Sequence, residues 1–176
     1  MKKINYNSAN TIIGIIVMVF SFIIFTLTVE PTASYWDCAE YISTSAKLQV
    51  GHPPGAPLFQ MLGAIFSTFA FESDQIALTV NMMSVTSSAL TILFLFWSIS
   101  HLIKQHIGNE DKSITANEAI KIFGSSILGC LTFTFTDSFW FNAVEAEVYA
   151  MATMILSLLF WLGLKWVENL DSHRGD

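Results

Sequence analysis

The charged residues of this chain are confined to short segments that separate long apolar stretches. Only 12% of the 176 residues are charged and 53% are hydrophobic, whereas a soluble domain carries about a quarter charged residues. The mean hydropathy is +0.54. Because stretches of this kind are suited to lipid and not to water, the chain is predicted to be a polytopic integral membrane protein and not a soluble domain.

The first apolar stretch, residues 11–29, contains no charge. As a helix it would extend roughly 28 Å, close to the thickness of a bilayer core. The small residues 32–34 follow it, so a cleaved signal peptide is the rival interpretation, but a signal peptide has a shorter apolar region of about 7–15 residues. Further spans are predicted at residues 76–103, 120–137 and 148–167. The predicted fold class is therefore all-α, a transmembrane helical bundle of about four spans.

Two short juxtamembrane helices are predicted in the loop between the first two spans, residues 30–75. Residues 34–50 form an amphipathic pattern, and residues 56–71 form an apolar helix that is short for a span and fits an interfacial or half-buried position. Between them, residues 51–55 contain two prolines, which donate no N–H and restrict the backbone. A rigid turn is therefore predicted there.

The placement of lysine and arginine predicts the orientation in the membrane. Lys47 lies in the loop 30–75, and the other basic residues fall on the opposite side of a four-span chain. These are Lys2, Lys3, Lys104, Lys112, Lys121, Lys165 and Arg174. Cytoplasmic loops carry an excess of basic residues, so both chain ends are predicted to be cytoplasmic, with loops 30–75 and 138–147 facing outward. The net charge of −6 provides no basic surface for nucleic acid.

Two carboxylates in the first outward loop, Asp37 and Glu40, are three residues apart and would share one helix face. Such a pair at the membrane surface suits a general base, a divalent metal, or recognition of a cationic or hydroxyl group. The alternative is that both are solvated charges on an amphipathic helix. Cys38 and Cys130 match no metal-ligand spacing, and no metal ligands are assigned from the sequence.

Two further segments could carry chemistry. The diproline turn would present His52 toward a site or a phosphate; a simple helix break with an exposed histidine is the alternative. Glu145 and Tyr149 are four residues apart and are predicted to share a helix face opposite Asp37, while Glu147 is predicted to point elsewhere. The alternative for these acids is that they favourably oppose the positive end of a helix dipole.

Three motifs, taken in order, resemble one known family. They are WDCAE at residues 36–40, GHPPGAPL at 51–58 and FWFNAVEAEVY at 139–149. Together they resemble a bacterial membrane family of the domain-of-unknown-function type, which is related to a vertebrate protein O-mannosyltransferase and belongs to the C-type glycosyltransferase superfamily. The resemblance covers nearly the whole chain. Members of that family are usually much longer, so residues 1–176 are expected to be the N-terminal part of such a transmembrane domain.

The resemblance implies a function, a location and a set of site residues. C-type glycosyltransferases transfer a sugar, here a mannose-like one, from a polyprenyl-phosphate carrier to an acceptor, here a protein hydroxyl, on the non-cytoplasmic side. Asp37 matches the position of their catalytic acidic residue, with Glu40 as its neighbour. The candidate substrate-binding residues are Trp36, His52, Glu145 and Tyr149. The implied location is the bacterial inner membrane, and the implied partners are the bilayer, the lipid-linked sugar and the protein acceptor. No cofactor is assigned beyond that donor, and the paired carboxylates leave a divalent metal open.

Two other functions remain as alternatives to a glycosyltransferase. A non-catalytic membrane scaffold or assembly protein would not depend on the acidic residues of the outward loops. A transporter subunit would be expected to carry ionisable residues inside its spans. The predicted spans have none near their centres, which weighs against a transporter.

Overall fold

In the computed structural model, residues 3–107 and 113–174 are described, and most of them are helical. A three-residue 3-10 turn, Ser73–Gln75, precedes α4, and a π-helical turn, Ile120–Gly124, joins α5 to α6. The other elements are β1 (Ile4–Asn5), α1 (Tyr6–Leu27), α2 (Cys38–Lys47), α3 (Pro57–Ser67), α4 (Ile76–His106), β2 (Ser113–Ile114), α5 (Ala116–Ala119), α6 (Ser125–Thr134), α7 (Asp137–Ala143) and α8 (Val148–Arg174).

The long helix α4 is the centre of the bundle, and it packs against α1, α6 and α8. Tyr6, at the start of α1, donates a hydrogen bond to Ser100 near the end of α4, so these two helices are antiparallel. The short strands β1 and β2 pair at the same end. Segments 28–75 and 135–147 meet at the opposite end, which is called the loop end below. The chain therefore crosses the bundle back and forth, and both described termini lie away from the loop end.

The helical membrane architecture predicted from the sequence is confirmed. Three helices are long and apolar enough to cross a membrane: Tyr6–Leu27, Ser73–His106 and Val148–Leu170. A fourth span is obtained when Ala116–Thr134 and Asp137–Ala143, which are bent by 70° relative to each other, are counted as one broken span. The structure therefore has three spans by length and composition, or four with this bent pair.

Several helix boundaries differ from the prediction, and the structure gives a local reason for two of them. The first span begins at Tyr6 and not at residue 11, because Asn5 caps the helix by accepting a hydrogen bond from the Ser8 N–H at 3.1 Å. The third helical segment ends at Thr134 and not at residue 137. Asp137 is instead the first residue of α7, where its negative charge interacts favourably with the positive end of the helix dipole.

The segment between the third and fourth predicted spans, for which no helix is predicted from the sequence, contains the helix α7. Phe139 of α7 packs against Phe25 of α1 and Phe133 of α6, with ring centroids 5.9 and 4.4 Å apart. Burial of this aromatic side chain stabilises a short helix that local propensity alone would leave marginal. After α7 the chain bends through residues 144–147, and α8 begins at Val148.

The two short helices predicted in the first outward loop are present but shorter than predicted. Helix α2 covers Cys38–Lys47, because Trp36 before it and Leu48 after it have φ values of 62° and 50°, outside the right-handed helical region. Helix α3 covers Pro57–Ser67, and the proline at its first position loses no hydrogen bond there.

The basic residues on which the predicted orientation depends are grouped as expected along the bundle. Lys3, Lys104, Lys121 and Lys165 belong to elements at the end away from the loop end, and Lys47 ends α2 at the loop end. Lys2 and Lys112 lie outside the described residues. Which end faces the cytoplasm stays a prediction.

Candidate functional site

Asp37, Glu40 and His52 come together at the surface of the loop end and are called the acid–histidine cluster below. One carboxylate oxygen of Glu40 accepts the backbone N–H of His52 at 2.6 Å, and the other lies 2.9 Å from the imidazole Nδ1. The imidazole Nε2 lies 3.9 Å from an oxygen of Asp37. Glu40 thus holds both the backbone and the ring of His52, and the second ring nitrogen faces Asp37.

Two glycines allow the turn between α2 and α3 to close on Glu40. A side chain at Gly51 would come within 2.8 Å of Gln60 Nε2 and 3.1 Å of Glu40 Oε1. The N–H of Gly55 donates to the carbonyl of His52 at 2.8 Å, and Gly55 has a φ of 78°, which favours glycine. The predicted rigid turn is therefore present, and it returns His52 to the beginning of α2.

Charge pairing shifts the pKa values inside the cluster. The hydrogen bonds from the His52 backbone and ring hold the pKa of Glu40 below its ordinary value. The hydrogen bond to Glu40 raises the pKa of His52, and the charges of Glu40 and Asp37 act in the same direction. The arrangement therefore favours a protonated imidazole paired with carboxylates.

The acid–histidine cluster also has the composition of a metal site. One possible ligand atom from each of Asp37, Glu40 and His52 lies within 4.8 Å of the others. Carboxylate and imidazole are ligands that divalent transition metals accept. No metal ligands are assigned from the sequence, in which His52 lies twelve residues after Glu40. Only the turn between α2 and α3 brings the three side chains together.

A second pair of carboxylates, Glu145 and Glu147, lies below the surface at the loop end. Their side chains are only 4% and 8% exposed. The hydroxyl of Ser34 donates to the carboxylate of Glu145. Glu147 is within electrostatic reach of Asp37 and Tyr41. The two outward loops thus meet around these residues, as predicted from the sequence for Glu145 and Asp37.

The predicted shared helix face of Glu145 and Tyr149 is wrong. Helix α8 begins only at Val148, so Glu145 lies before the helix and is buried, while Tyr149 is 62% exposed. The backbone is bent here because the carbonyl of Val144 accepts a hydrogen bond from the N–H of Glu30 at 2.9 Å. That contact between the two outward loops takes residues 144–147 out of helical spacing.

Glu147 is the buried acid that the sequence pattern placed incorrectly. It was predicted to point away from the site, because residues two apart face different sides of a helix. In the bend, Glu147 is instead buried, and burial raises its pKa to about 7, with the charges of Glu145 and Asp37 adding to the effect. The sequence shows only that Glu145 and Glu147 are two residues apart. Where the backbone is not helical, this spacing does not predict which side chains are buried.

Glu147→Gln is expected to remove a pH dependence of stability. The pKa of Glu147 in the folded protein lies above its ordinary value of 4.5. The stabilisation from the protonated form is therefore complete below that ordinary value and is lost as the pH rises through about 7. Thermal unfolding in detergent should show the wild type losing roughly 1–2 kcal/mol from about pH 5 to about pH 8, after allowance for solvent screening. Glu72→Gln, at an exposed acid, is the control, and equal slopes for wild type and Glu147→Gln would contradict the expectation.

Asn81 of α4 anchors the chain that leads into the acid–histidine cluster. Its side chain is fully buried and donates to the carbonyls of Glu30 and Thr32 at 2.6 and 2.9 Å. Its oxygen lies 3.8 Å from Sγ of Cys38. Asp37 precedes Cys38 directly, so the chain on both sides of Asp37 is attached to the central helix of the bundle.

The two aromatic residues predicted to bind substrate, Trp36 and Tyr149, are both exposed at the loop end. The Trp36 side chain is 88% exposed, and its positive φ is costly for a bulky residue. Such strained backbone occurs preferentially at functional sites. Tyr149 is within electrostatic reach of Tyr41, whose ring centroid lies 6.3 Å from that of His52. A binding role for either aromatic residue stays a prediction.

Comparison with known proteins establishes the family. The family model described as "Protein O-mannosyl-transferase TMEM260 N-terminal domain" matches residues 37–176. This chain belongs to that family. The match begins at Asp37 and includes the acid–histidine cluster, both buried glutamates and helices α4 to α8. The predicted relationship to protein O-mannosyltransferases, through their N-terminal portion, is thereby confirmed.

Two curated relatives carry the same name. "Protein O-mannosyl-transferase tmem260" of Dictyostelium discoideum is 27% identical over 143 residues, which is 81% of this chain and 15% of that protein. The Mus musculus protein of the same name is 28% identical over 145 residues, 82% of this chain and 18% of that protein. The chain thus matches less than a fifth of the length of either relative. No solved structure is significantly similar to it.

Proposed function

We propose that this chain is part of a membrane glycosyltransferase. It would transfer a mannose-like sugar from a polyprenyl-phosphate carrier to a protein hydroxyl group on the non-cytoplasmic side. The observation that supports the proposal most strongly is the acid–histidine cluster, which is exposed at the loop end of the helical bundle. The chain also belongs to a family that is described as a protein O-mannosyl-transferase N-terminal domain. A base and a cation side by side are what this reaction needs from its protein.

Asp37 is the general base in this proposal. Its side chain is 55% exposed, so an acceptor serine or threonine hydroxyl has access to it. The carboxylate takes the hydroxyl proton while the acceptor oxygen forms a bond to the anomeric carbon of the sugar. The bond between that carbon and the phosphate oxygen breaks, and the lipid phosphate leaves with the electron pair.

His52 supplies positive charge near the leaving phosphate. Its Nδ1 is held by Glu40 at 2.9 Å, and its Nε2 lies 3.9 Å from Asp37. That second nitrogen is too far from Asp37 for a hydrogen bond of ordinary length and can donate to a phosphate oxygen. A charge-assisted bond of this kind stabilises the developing negative charge on the leaving group. Trp36 and Tyr149 would offer exposed aromatic faces to the sugar.

A transfer assay tests the proposed function. Membranes containing the complete gene product are incubated with radiolabelled mannose on polyprenyl phosphate and with a protein acceptor. We expect label to become covalently attached to serine or threonine and to be released from the acceptor by mild alkali. Correctly inserted wild-type protein that transfers no label from this donor would overturn the proposed donor and reaction.

Glu40 and His52 are expected to act as one unit in this reaction. Because Glu40 positions and charges the imidazole, Glu40→Gln and His52→Ala should each lower kcat/KM about 10- to 100-fold, the loss expected for a charged hydrogen bond. The kcat/KM of the double variant should be no lower than that of the less active single variant, since both changes remove the same interaction. A double-mutant cycle measures this. Losses that multiply would show that the two residues act separately.

A further inference from the structure

Glu147 lies where the two outward loops meet. Its neighbours in the chain, Ala146 and Val148, belong to the same apolar cluster as Cys38 at the start of α2. Cys38 directly follows Asp37, and the carboxyl group of Glu147 is within electrostatic reach of Asp37. The packing of the backbone and the charges of the side chains therefore both place Glu147 beside the proposed general base.

The carboxyl group of Glu147 has hydrogen-bonding capacity that the protein does not use. Glu145 accepts a hydrogen bond from the hydroxyl of Ser34. Within the described part of the chain, the hydrogen bond to the Glu147 side chain comes from the backbone N–H of Val148. A carboxylate has about four acceptor positions, and a side chain that is only 8% exposed has little access to water. A buried polar group of this kind favours a partner.

The charges around Glu147 indicate what kind of partner fits. The charged groups that act on it are the carboxylates of Glu145 and Asp37, and among the described residues no cation contributes to the shift of its pKa. The phenol of Tyr41 on α2 is also within electrostatic reach. A phosphate would be repelled by these carboxylates, whereas a neutral hydroxyl can donate to one of them. The position therefore suits the sugar of a lipid-linked donor, and its phosphate fits beside His52.

We propose that Glu147 binds the 2-hydroxyl of the transferred sugar. The inference rests on the proposed glycosyl transfer, in which Asp37 takes the proton of the hydroxyl that attacks the anomeric carbon. The 2-hydroxyl is on the next carbon, so a carboxyl group beside Asp37 reaches it while Trp36 and Tyr149 offer aromatic faces to the ring. In glycoside hydrolysis, hydrogen bonds to this hydroxyl strengthen in the transition state. Glu147 is thus a substrate-binding residue that orients the sugar for attack.

A cycle that combines a residue substitution with the removal of a sugar hydroxyl tests this contact. Membranes containing the complete gene product, as wild type or Glu147→Ala, are supplied with mannosyl, 2-deoxy and 4-deoxy donors on polyprenyl phosphate, and kcat/KM is measured for each. Glu147→Gln keeps the volume of the side chain and replaces the alanine variant if that variant does not fold. Glu72→Gln, at an exposed acid in the first outward loop, is the control and should transfer at wild-type rates.

We expect Glu147→Ala to lower kcat/KM with the mannosyl donor about 10- to 100-fold, the loss expected for a hydrogen bond to a charged group. With the 2-deoxy donor the variant and the wild type should agree within about twofold, because the bond is already absent. The 4-deoxy donor should show the full loss. The intrinsic reactivity of each deoxy sugar is the same for both proteins and cancels in the comparison.

Equal losses with the mannosyl and 2-deoxy donors would overturn the proposed contact, and so would a Glu147→Ala variant that is fully active with the mannosyl donor. A loss that disappears only with the 4-deoxy donor would also overturn it, because Glu147 would then bind a different hydroxyl. In all three cases the wild type still transfers sugar, so the proposed function stands. An inserted wild type that transfers from none of these donors would overturn the proposed function and this contact with it.

Discussion

Asp37→Asn is expected to lower sugar transfer by about 100- to 10,000-fold, the range over which a general base contributes to catalysis. Asparagine keeps the size and polarity of the side chain but cannot accept the acceptor proton. The substitution should leave the fold unchanged, because Asp37 is exposed and, although it precedes α2, its side chain makes no capping hydrogen bond among the described residues. The measurement is kcat/KM with the lipid-linked donor, together with a thermal unfolding curve.

Asp74→Asn is the matched control for that measurement. Asp74 is an exposed aspartate in the same outward loop, but it lies in the turn before α4 and outside the acid–histidine cluster. The control should transfer at the wild-type rate. A wild-type rate for Asp37→Asn in an inserted protein would exclude Asp37 as the base. Equal losses in both variants would instead indicate a general effect of charge in the loop.

Asn81→Leu is expected to give the largest loss of stability, about 1–3 kcal/mol, because it removes both hydrogen bonds that the fully buried Asn81 amide donates to the carbonyls of Glu30 and Thr32. Leucine has the same branching as asparagine but is larger, so the substitution leaves no cavity, and crowding in the buried site adds to the effect of the lost hydrogen bonds. The measurement is unfolding in detergent, combined with the labelling rate of Cys38. The fully buried Cys38 should become reactive when the chain beside it detaches from α4.

Asn142→Leu is the control for the stability measurement. Within the part of the chain that the structure describes, the amide of Asn142 donates to the carbonyl of Ser138 of its own helix α7, at 2.8 Å, and the residue is partly exposed. We expect little change in unfolding and no labelling of Cys38 in this variant. Unchanged stability and unreactive Cys38 in Asn81→Leu would show that the first outward loop does not need its attachment to α4.

The membrane architecture and part of the site could be predicted because their signals are local. Uncharged stretches are detected residue by residue, and Asp37 and Glu40 lie one helical turn apart. The contact of His52 with Glu40 depends on a turn whose closure needs Gly51 and Gly55 in particular conformations. Composition predicted the turn but not the direction in which the histidine would face.

The buried glutamates could not be placed from the sequence, because their environment comes from residues far along the chain. Ser34, which binds Glu145, is 111 residues away from it. The bend that buries Glu147 depends on a backbone bond between Glu30 and Val144. Without that contact, helical periodicity was the best guide available and gave the wrong direction for Glu147. The helix α7 was missed for a related reason, since the partners of Phe139 lie in α1 and α6.

The attachments of the first outward loop also imply an order of biogenesis. The carbonyls of Glu30 and Thr32 accept hydrogen bonds from Asn81, which is synthesised about fifty residues later, and Ser34 donates to Glu145, which is synthesised later still. The segment that carries the acid–histidine cluster is therefore synthesised before the residues that attach it to the bundle. The contacts within the acid–histidine cluster involve only residues 37–52, whereas the bond from Ser34 to Glu145 needs the chain up to the start of α8. The local contacts of the cluster can therefore form early in synthesis, whereas its attachment to the rest of the bundle is completed late.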